Sequence, residues 1–512
     1  MKKLFFTLTA FVVALTTFAE KQLDEDWASS FTPVSDSTEL KGVHTAAATD
    51  GMVYVSSTYN QTFTFAGKEV ADPEGLTSAV IVKYNKEGEE LWAVTLFGNA
   101  VVHAMDTDAE GNLYAAGNFM EEVSYTGADG ASATIASAGV YSAFIAKISK
   151  DGKFETVKVI TPAVNETVAS AVGDPWGDGF ESPLYTMWDP IYVTPNKIQV
   201  DGDKVYVSAK YMGDVADLGW KGSYIDMFGM MYTDNYSMGV FSLNKADLGG
   251  AANVANVQMT GIIADTQYYP EALNFVAENG IVYVGFIGFQ KLTLTTAAGA
   301  ENFSFAATDE GDMEHAFVLA TIGATTTTKT YNAAAHGKLY TPYNLLMQMD
   351  GENLIIGGTI HGELPFDNQK TTGELASDIF MASVKKADGT VNGTFLSGME
   401  NEAVCMTIDN ESAILSTTSK EIYQMNLQSN EVTTQIGSAY TCIDAEGGSK
   451  VNVTCNECTV NVNGIYNPAY SIEEIVRPAQ PENGIIYNLL GQPVNENYKG
   501  IVIKNGKKYL QK

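Results

Sequence analysis

The chain has 512 residues, of which 45% are hydrophobic, and this is enough to bury one large core or two ordinary ones. Its formal net charge is -31, and a field of that sign repels nucleic acid and anionic membrane surfaces. Arg477 is the only arginine, so most of the sequence lacks a guanidinium group for bidentate recognition of a carboxylate or a phosphate. Composition therefore argues against a nucleic-acid partner and against arginine-clamped anionic substrates.

The first 19 residues, MKKLFFTLTAFVVALTTFA, combine two lysines with an apolar run and a small residue at Ala19. This pattern predicts a cleaved secretory signal peptide at residues 1–19, because the run is too short for a membrane span. No cysteine follows Ala19, so a lipid anchor is not expected. We expect a chain without a membrane span that is exported to the periplasm, the cell surface or the medium.

Short apolar strands separated by Gly, Asn and Asp turns recur along the chain, which is the period-2 pattern of antiparallel sheet. A turn followed by an apolar strand occurs six times, at residues 52–56, 113–117, 205–208, 281–285, 354–358 and 413–416. A second apolar strand follows each copy and begins at Ala79, Ala143, Gly239, Ala316, Ile379 and Ile422 in turn. This repeat predicts an all-β protein, a β-propeller of six four-stranded blades over residues 20–437, with seven blades as the alternative.

The N-terminal segment 27–31 (WASSF) matches the outer strand at 92–96 (WAVTL), yet it precedes the first hairpin instead of ending a blade. Such an isolated strand would pair with the last blade and close the ring, which removes two exposed sheet edges. Residues 431–437 could also supply the outer strand of the last blade. The pattern leaves both alternatives open.

Three runs in the first two copies, TFTFAGKEV, SAVIVKYNKEGEELW and DTDAEGNLYAAGNF, resemble the bacterial propeller repeats often called SBBP repeats. The resemblance covers roughly residues 27–437 and is strongest in these two copies. It implies a secreted or surface-located β-propeller and implies no reaction. The family name refers to seven blades, whereas the strand pattern predicts six.

The character of the sequence changes after the repeats. Residues 438–483 form a polar, cysteine-containing, β-rich segment followed by a proline-containing linker. Residues 484–512 resemble the C-terminal sorting domains of type IX secretion cargo in Bacteroides-type bacteria, through Tyr487, Asn488, Leu489, Gly491 and the run GIVI at 500–503. The resemblance implies the secretion machinery as a partner, and the alternative is a small β-module that caps the chain.

Two motifs suggest a metal site, and each has a simpler explanation. Asp106, Asp108 and Glu110 alternate before a glycine as in a calcium loop, but the turn of a hairpin explains the same residues. His44 and His103 begin equivalent inner strands near the predicted central channel, but no carboxylates align with them. We predict hydrogen-bonded strand histidines and no metal site.

The four cysteines favour a structural role over a zinc-binding or redox role. Cys455 and Cys458 have the spacing of half a zinc site, but neither a second pair nor a nearby histidine completes it. In an exported chain, a disulfide among Cys442, Cys455 and Cys458 is the favoured interpretation, with Cys405 buried alone in a blade strand. No cofactor is predicted.

The clearest functional signal lies where the third copy departs from the repeat. Insertions at 162–196 and 212–236 should emerge on one face, because strand direction alternates within an antiparallel blade. Aromatic side chains on long loops favour a ligand-binding surface. The predicted ligand-binding residues on this face are Trp176, Tyr185, Trp188, Tyr192, Trp220, Tyr224, Tyr232, Tyr268, Tyr269 and Tyr343. The alternative is that these loops pack on each other as a lid, with the tryptophans as their private core.

These observations favour a non-catalytic binding propeller whose ligand is a glycan or a surface protein. The alternative is a propeller glycoside hydrolase or lyase acting on neutral polysaccharide, with Asp189 paired with Asp226 or Asp234. The shortage of arginine disfavours a sialidase. No catalytic residue is assigned, because no complete catalytic set can be assembled.

Overall fold

The computed structural model describes residues 27–31, 43–48, 51–59, 62–65, 68–70, 77–137, 140–163, 191–222, 224–227, 230–233, 237–259, 272–289, 291–305, 315–332, 344–360, 364–366, 378–409, 411–419, 421–436, 442–446, 449–456, 459–466, 486–488, 493–494, 500–504 and 507–511. Apart from one turn of 3-10 helix, Ala216–Leu218, the regular elements of these residues are β-strands. Within these ranges, no helix has the length and apolar character needed to cross a bilayer. The protein is therefore all-β, as predicted.

The strands fall into two compact units, Met1–Tyr466 and Asn467–Lys512. The strands of the first unit are β1 (Trp27–Phe31), β2 (His44–Ala47), β3 (Val53–Tyr59), β4 (Phe63–Phe65), β5 (Lys68–Val70), β6 (Ser78–Tyr84), β7 (Glu90–Thr107), β8 (Leu113–Thr126), β9 (Ser132–Ala136), β10 (Ser142–Ile148), β11 (Phe154–Ile160), β12 (Tyr192–Asp201), β13 (Lys204–Met212), β14 (Tyr224–Met227), β15 (Met230–Thr233), β16 (Ser237–Asn244), β17 (Ala252–Met259), β18 (Leu273–Glu278), β19 (Ile281–Phe289), β20 (Lys291–Thr296), β21 (Gly299–Ser304), β22 (His315–Ile322), β23 (Thr326–Asn332), β24 (Asn344–Asp350), β25 (Asn353–Ile360), β26 (Asp378–Lys385), β27 (Val391–Glu400), β28 (Ala403–Asp409), β29 (Ser412–Thr417), β30 (Glu421–Asn426), β31 (Val432–Ile436), β32 (Cys442–Glu446), β33 (Ser449–Asn456) and β34 (Thr459–Tyr466).

The second unit, described by itself, is a four-stranded antiparallel sheet in the order β36-β35-β37-β38. Its strands are β35 (Ile486–Asn488), β36 (Pro493–Val494), β37 (Gly500–Lys504) and β38 (Lys507–Gln511). The predicted C-terminal β-module therefore has four short strands.

Antiparallel pairing in chain order builds the repeat predicted from the sequence. Six successive sets pair as β2-β3-β6-β7, β7-β8-β10-β11, β12-β13-β16-β17, β18-β19-β22-β23, β24-β25-β26-β27 and β28-β29-β30-β31. Each of the six predicted hairpin strands is the second strand of one set, and each predicted following strand is the third. Both strand predictions are confirmed for all six copies.

The innermost strands contact one another in cyclic order, and this closes the first unit into a β-propeller. The order is β2, β7, β12, β18, β24, β28, β32 and back to β2. A further sheet, β32-β33-β34-β1, lies between the sixth set and the first, and β1 pairs with β34 from Trp27 opposite Gly464 to Phe31 opposite Val460. Among the described residues, this arrangement favours seven blades, the alternative count, over six. The space that the innermost strands enclose is called the central channel below.

Two sequence expectations are corrected by this sheet. The isolated strand β1 closes the ring, as expected, but it pairs with β34, while β31 is the outer strand of the sixth blade. The propeller boundary predicted at residue 437 is too early, because β32 to β34 lie in the same compact unit as the other blades. These strands alternate Val with Asn and Thr (SKVNVTCN, TVNVNGIY), so they lack the apolar run that marked the other copies.

Buried apolar side chains fill the spaces between neighbouring blades. Tyr54, Trp92 and Phe144 share a cluster between the first and second blades, whereas Val55, next to Tyr54, faces a different cluster. Further clusters lie between the second and third, third and fourth, fourth and fifth, and fifth and sixth blades. Because a strand here is buried on both faces, its sequence is a continuous apolar run.

Backbone pairing also joins some neighbouring blades. Residues 90–96 of β7 pair with β6 in the first blade, and residues 99–107 pair with β8 in the second. The β8–β9 hairpin pairs with the outer part of β7, and the β20–β21 hairpin of the fourth blade pairs with β17 of the third. These additions cover the outer edges of the first and third blades.

Side-chain amides join other innermost strands across the channel wall. Each donates from Nδ2 or Nε2 to a backbone carbonyl of the next blade: Asn196 to Leu273, Gln199 to Ala277, Asn274 to Leu345, Asn344 to Ala403 and Gln348 to Met406. The donor–acceptor distances lie between 2.7 and 3.1 Å. We call these contacts the amide links.

Candidate functional site

A cluster of polar and aromatic side chains lies where the innermost strands of the first three blades begin. We call it the entrance cluster, and its members are His44, His103, Asn118, Tyr192, Thr194 and Lys210. They lie on β2, β7, β8, β12 and β13. In an antiparallel blade, the start of the first strand and the end of the second meet at one face, so these residues converge.

Hydrogen bonds and ring contacts connect the members of the entrance cluster. The ring centroids of His44 and His103 are 6.3 Å apart with the planes at 68°. His103 Nε2 lies 3.0 Å from Asn118 Oδ1, and Asn118 Nδ2 donates to Thr194 Oγ1 at 3.1 Å. Lys210 Nζ lies 5.9 Å from the centroid of the Tyr192 ring.

Both histidines are held in the neutral form. Burial, reinforced by His103, lowers the pKa of His44 to about 3. Burial also lowers the pKa of His103, and Lys210 adds to this effect against the hydrogen bond to Asn118. At neutral pH the pair therefore offers uncharged donors and acceptors.

The residues on both sides of segment 164–190 are anchored beside this cluster. Ala163 and Asp214 exchange two backbone hydrogen bonds of 2.8 Å. A Cβ on Gly213 would lie 2.7 Å from Ile191 Cγ2 and 3.0 Å from Ala163 O, so Ala163 and Ile191 both pack against Gly213. Tyr192, the first residue of β12, follows directly. Ala163 and Ile191, the described residues that flank positions 164–190, therefore lie next to the entrance cluster.

Of the predicted ligand-binding aromatics, Tyr192 lies in the entrance cluster and is partly exposed. Trp220 is only 2% exposed, and its ring stacks on Tyr211 at 4.7 Å and meets Phe241 edge-on at 5.9 Å. Its Nε1 donates to Asn253 Oδ1 at 2.8 Å. Trp220 is therefore a core residue and not part of an exposed surface, because the backbone at Gly239 leaves room for its ring.

The other predicted residues are placed only in part. Tyr224 and Tyr232 lie on the β14–β15 hairpin, opposite Thr233 and Ile225, and their side chains are outside the described structure. Trp176, Tyr185, Trp188, Tyr268, Tyr269 and Tyr343 lie outside the described residues, as do Asp189 and Asp234. Asp226, the remaining acid of the hydrolase hypothesis, lies on β14.

A lysine that the sequence analysis missed lies deeper in the channel. Lys197 follows an irregularity in the pairing of β12 with β13, between Pro195 and Lys197. Its Nζ donates to Met347 O at 2.6 Å and to Asn274 Oδ1 at 3.1 Å, and it lies 5.5 Å from the Phe275 ring centroid. A single lysine in a strand that also contains Asn196 and Gln199 is a weak sequence signal, and the sequence analysis gave more weight to the aromatic loops.

The turn considered as a calcium loop is a hydrogen-bonded hairpin turn. Asp108 Oδ1 accepts from the backbone N–H groups of Glu110 and Asn112, and Oδ2 accepts from Asn112 Nδ2 and the Tyr114 hydroxyl. Burial alone would raise the pKa of Asp108, but these hydrogen bonds and Lys245 lower it. Across the described ranges, no group of three or more His, Cys, Asp or Glu side chains is placed to hold a metal ion.

The cysteine predictions are placed by their strands. Cys405 lies on β28, a blade strand, as predicted, but it is partly exposed and not buried, and its Sγ lies 2.9 Å from Ser416 Oγ. Cys442 and Cys455 lie on β32 and β33, opposite Val453 and Val460, and Cys458 lies outside the described residues. A disulfide among the three remains a prediction.

Fold and entrance cluster together define a β-propeller with polar groups at one face of its ring. No protein-family model matches the chain, and no curated protein matches its sequence. Among solved structures it is similar to Sqt1 of Saccharomyces cerevisiae, with a TM-score of 0.37 and 10% identity over 86% of this chain and 100% of that chain. It is also similar to BamB of Moraxella catarrhalis, with a TM-score of 0.36 and 9% identity over 80% of this chain and 98% of that chain. A third similar structure is streptogramin B lyase, with a TM-score of 0.34 and 9% identity over 86% of this chain and 97% of that chain. At these TM-scores and identities, the similarities assign no function.

Proposed function

We propose that the protein is an exported, non-catalytic binding propeller that holds a glycan or a protein ligand at the entrance face. The observation that carries the proposal is the anchoring of Ala163 and Ile191 against Gly213, beside the entrance cluster. This anchoring supports a ligand surface that combines the aromatic residues of segment 164–190 with the entrance cluster.

The chemistry of the entrance cluster suits an uncharged, hydroxyl-rich ligand. Neutral imidazoles, a carboxamide and a threonine hydroxyl donate and accept hydrogen bonds, and the charged group of the cluster is the ammonium of Lys210, which lies over the Tyr192 ring. Tyr192 adds a partly exposed aromatic ring, and aromatic rings provide large contact areas with few rotatable bonds. We therefore favour a neutral glycan over a cationic ligand.

Binding is tested with Trp176→Ala and Trp188→Ala, alone and together, on glycan arrays and by affinity gel electrophoresis. We expect the double variant to bind roughly tenfold or more weakly, because removing one aromatic anchor often costs more than 1 kcal/mol. Tyr125→Ala is the matched control, since Tyr125 packs on Phe154 at 4.7 Å on an outer hairpin. Unchanged binding in a folded double variant would contradict the proposal, and release of new reducing ends would favour the hydrolase hypothesis.

Export through a C-terminal sorting signal is part of the same proposal. Asn467–Lys512 is a compact unit of its own, which supports its removal without damage to the propeller. Deleting residues 484–512 should leave the melting temperature of the propeller unchanged but retain the protein in the periplasm. Normal surface delivery of the truncated chain would count against a sorting role.

A further inference from the structure

A buried carboxylate lies at the start of β26, the third strand of the fifth blade. Asp378 is 0% exposed. Its Oδ1 accepts hydrogen bonds from the Ser397 hydroxyl and from the Gly398 backbone N–H, the latter at 2.9 Å. Its Oδ2 is buried as well, and no described residue donates to it. The ion pairs of the described residues do not include Asp378. A cation at Oδ2 would offset the cost of removing this oxygen from water.

A second acid lies directly opposite Asp378 in the sheet. β26 pairs with β27, and the register places Asp378 opposite Glu400. Residues directly opposite each other in an antiparallel pair share one face of the sheet, with their Cβ atoms about 4.5–5.5 Å apart. Two like charges at such positions destabilise the pair, whereas a divalent cation between them would attract both. The register therefore points to the same kind of ligand as the buried oxygen.

A bulge in β27 brings uncharged oxygen atoms to the same place. The pairing of the two strands shifts directly after Asp378, so residues 397–399 stand opposite a single residue of β26. Gly398, in the middle of the bulge, has a φ of +70°. The Ser397 hydroxyl contacts Asp378 Oδ1 and lies 3.2 Å from the Met399 carbonyl oxygen. The Met399 side chain is 46% exposed, so the bulge lies at the surface, where an ion can enter from solvent.

These oxygen donors favour calcium over other common metal ions. Carboxylates and backbone carbonyls are the usual ligands of Ca²⁺, which accepts irregular geometry, whereas Mg²⁺ requires a nearly ideal octahedron. Two carboxylates also balance the charge of one divalent ion. The set contains only two acidic side chains, and a hydroxyl and a carbonyl group would complete it.

We propose that Asp378, Glu400 and the bulge at residues 397–399 bind one calcium ion, with Asp378 Oδ2 and the Met399 carbonyl among the ligands. The ion would fasten β27, the outer strand of the fifth blade, to β26. None of these residues belongs to the entrance cluster, so the proposal does not depend on glycan binding.

The first test compares the melting temperature of the full-length protein in EDTA and in calcium chloride. At about 10 mM calcium, which exceeds the dissociation constants typical of extracellular calcium modules, we expect the melting temperature to rise by roughly 2 °C. The same concentration of magnesium should raise it much less. Equal effects of the two ions, or no effect of calcium, would overturn the proposal.

Three variants separate this site from general binding of calcium to an acidic surface. Asp378→Asn keeps the size of the side chain and removes the charge, so it should abolish the response to calcium. In EDTA it should melt no lower than the unmodified protein, because it leaves no uncompensated buried charge. Glu400→Gln should reduce the response at least by half, whereas Glu402→Gln, the same change at an exposed residue nearby, should preserve it.

A full response to calcium in folded Asp378→Asn would contradict the proposal, because calcium would then act elsewhere. If Asp378→Asn does not fold, the comparison of Glu400→Gln with Glu402→Gln decides, and equal responses in these two variants would overturn the site. Terbium luminescence gives a readout other than stability. The Tyr423 hydroxyl contacts the Ser397 side chain, so excitation of Tyr423 should sensitise terbium bound in place of calcium, and Asp378→Asn should remove this signal.

Discussion

Neighbouring blades are joined in two ways. Backbone pairing forms the joint between the first and second blades, whereas side-chain hydrogen bonds form the joint between the fourth and fifth. In the first joint, one continuous strand, β7, belongs to both sheets, and the β8–β9 hairpin pairs with its outer part. In the second, the Asn274 amide reaches Leu345 O, and Lys197 reaches both strands from the third blade. Backbone pairing tolerates many side chains, whereas a side-chain link depends on one residue type at one position. We therefore expect the two joints to fail through different substitutions.

The backbone joint should fail most severely at Gly98, where β7 passes from one blade to the next. Gly98 has a φ of +115°, and a Cβ there would lie 2.7 Å from the carbonyl oxygen of Glu122. Gly98→Ala should lower the free energy of unfolding by about 3 kcal/mol, since it combines an unfavourable φ with a backbone clash. Chemical denaturation measures this change.

Gly130→Ala is the matched control for Gly98. Gly130 has a φ of +78° with no atom within 4 Å of a Cβ, so only the backbone preference is tested there. We expect a loss of about 1 kcal/mol. Equal losses at the two glycines would show that the crossing of β7 imposes no special constraint.

The side-chain joint should fail at Asn274, which is 6% exposed. Its Nδ2 donates to Leu345 O, and its Oδ1 accepts from Phe275 N and from Lys197 Nζ. Asn274→Leu should lower the free energy of unfolding by about 2 to 3 kcal/mol, because buried polar partners lose their hydrogen bonds. Combined with Lys197→Met, the loss should be less than additive in a double-mutant cycle. Strict additivity would mean that the two residues act independently.

The sequence predicted the strands of the first six blades because their residues are buried on both faces and form apolar runs, as in β6 (SAVIVKY). It missed β33 as a blade strand, because Val alternates there with Asn and Thr and the outer partner, β1, comes from the other end of the chain. Tyr192 lies in the entrance cluster, and its role in ligand binding stays a prediction. The burial of Trp220 could not be predicted, because it depends on the space that Gly239 leaves for the indole ring. Lys197 could not be predicted, since its acceptor is 150 residues away.

The contribution of Lys197 to the side-chain joint should depend on pH. Between the folded-state pKa of about 7 and the ordinary value of 10.5, Lys197 is neutral in the folded protein but protonated in the unfolded chain. The unfolded state then binds more protons, so the free energy of unfolding should rise with pH by about 1.4 kcal/mol per unit relative to Lys197→Met. Below pH 7 both states are protonated and the difference should be constant. If the free energies of unfolding of the unmodified protein and of Lys197→Met change in parallel from pH 7 to 9, burial does not lower the pKa of Lys197.

The smallest effect is expected at a single, partly exposed amide link. Gln348 is half-buried, and its Nε2 donates to Met406 O of the sixth blade at 3.0 Å. Gln348→Ala should lower the free energy of unfolding by about 1 kcal/mol, because water in the channel can replace part of the lost hydrogen bond. Gln348→Glu tests the link more strictly, because it keeps the size of the side chain but replaces the Nε2 donor by a carboxylate oxygen. That oxygen would be repelled by the carbonyl oxygen of Met406. We expect Gln348→Glu to be less stable than Gln348→Ala at pH 7 and to recover as the carboxyl group is protonated at low pH. If the two variants are equally stable, the amide links contribute packing and not hydrogen bonding, and the distinction between the two kinds of joint would be lost.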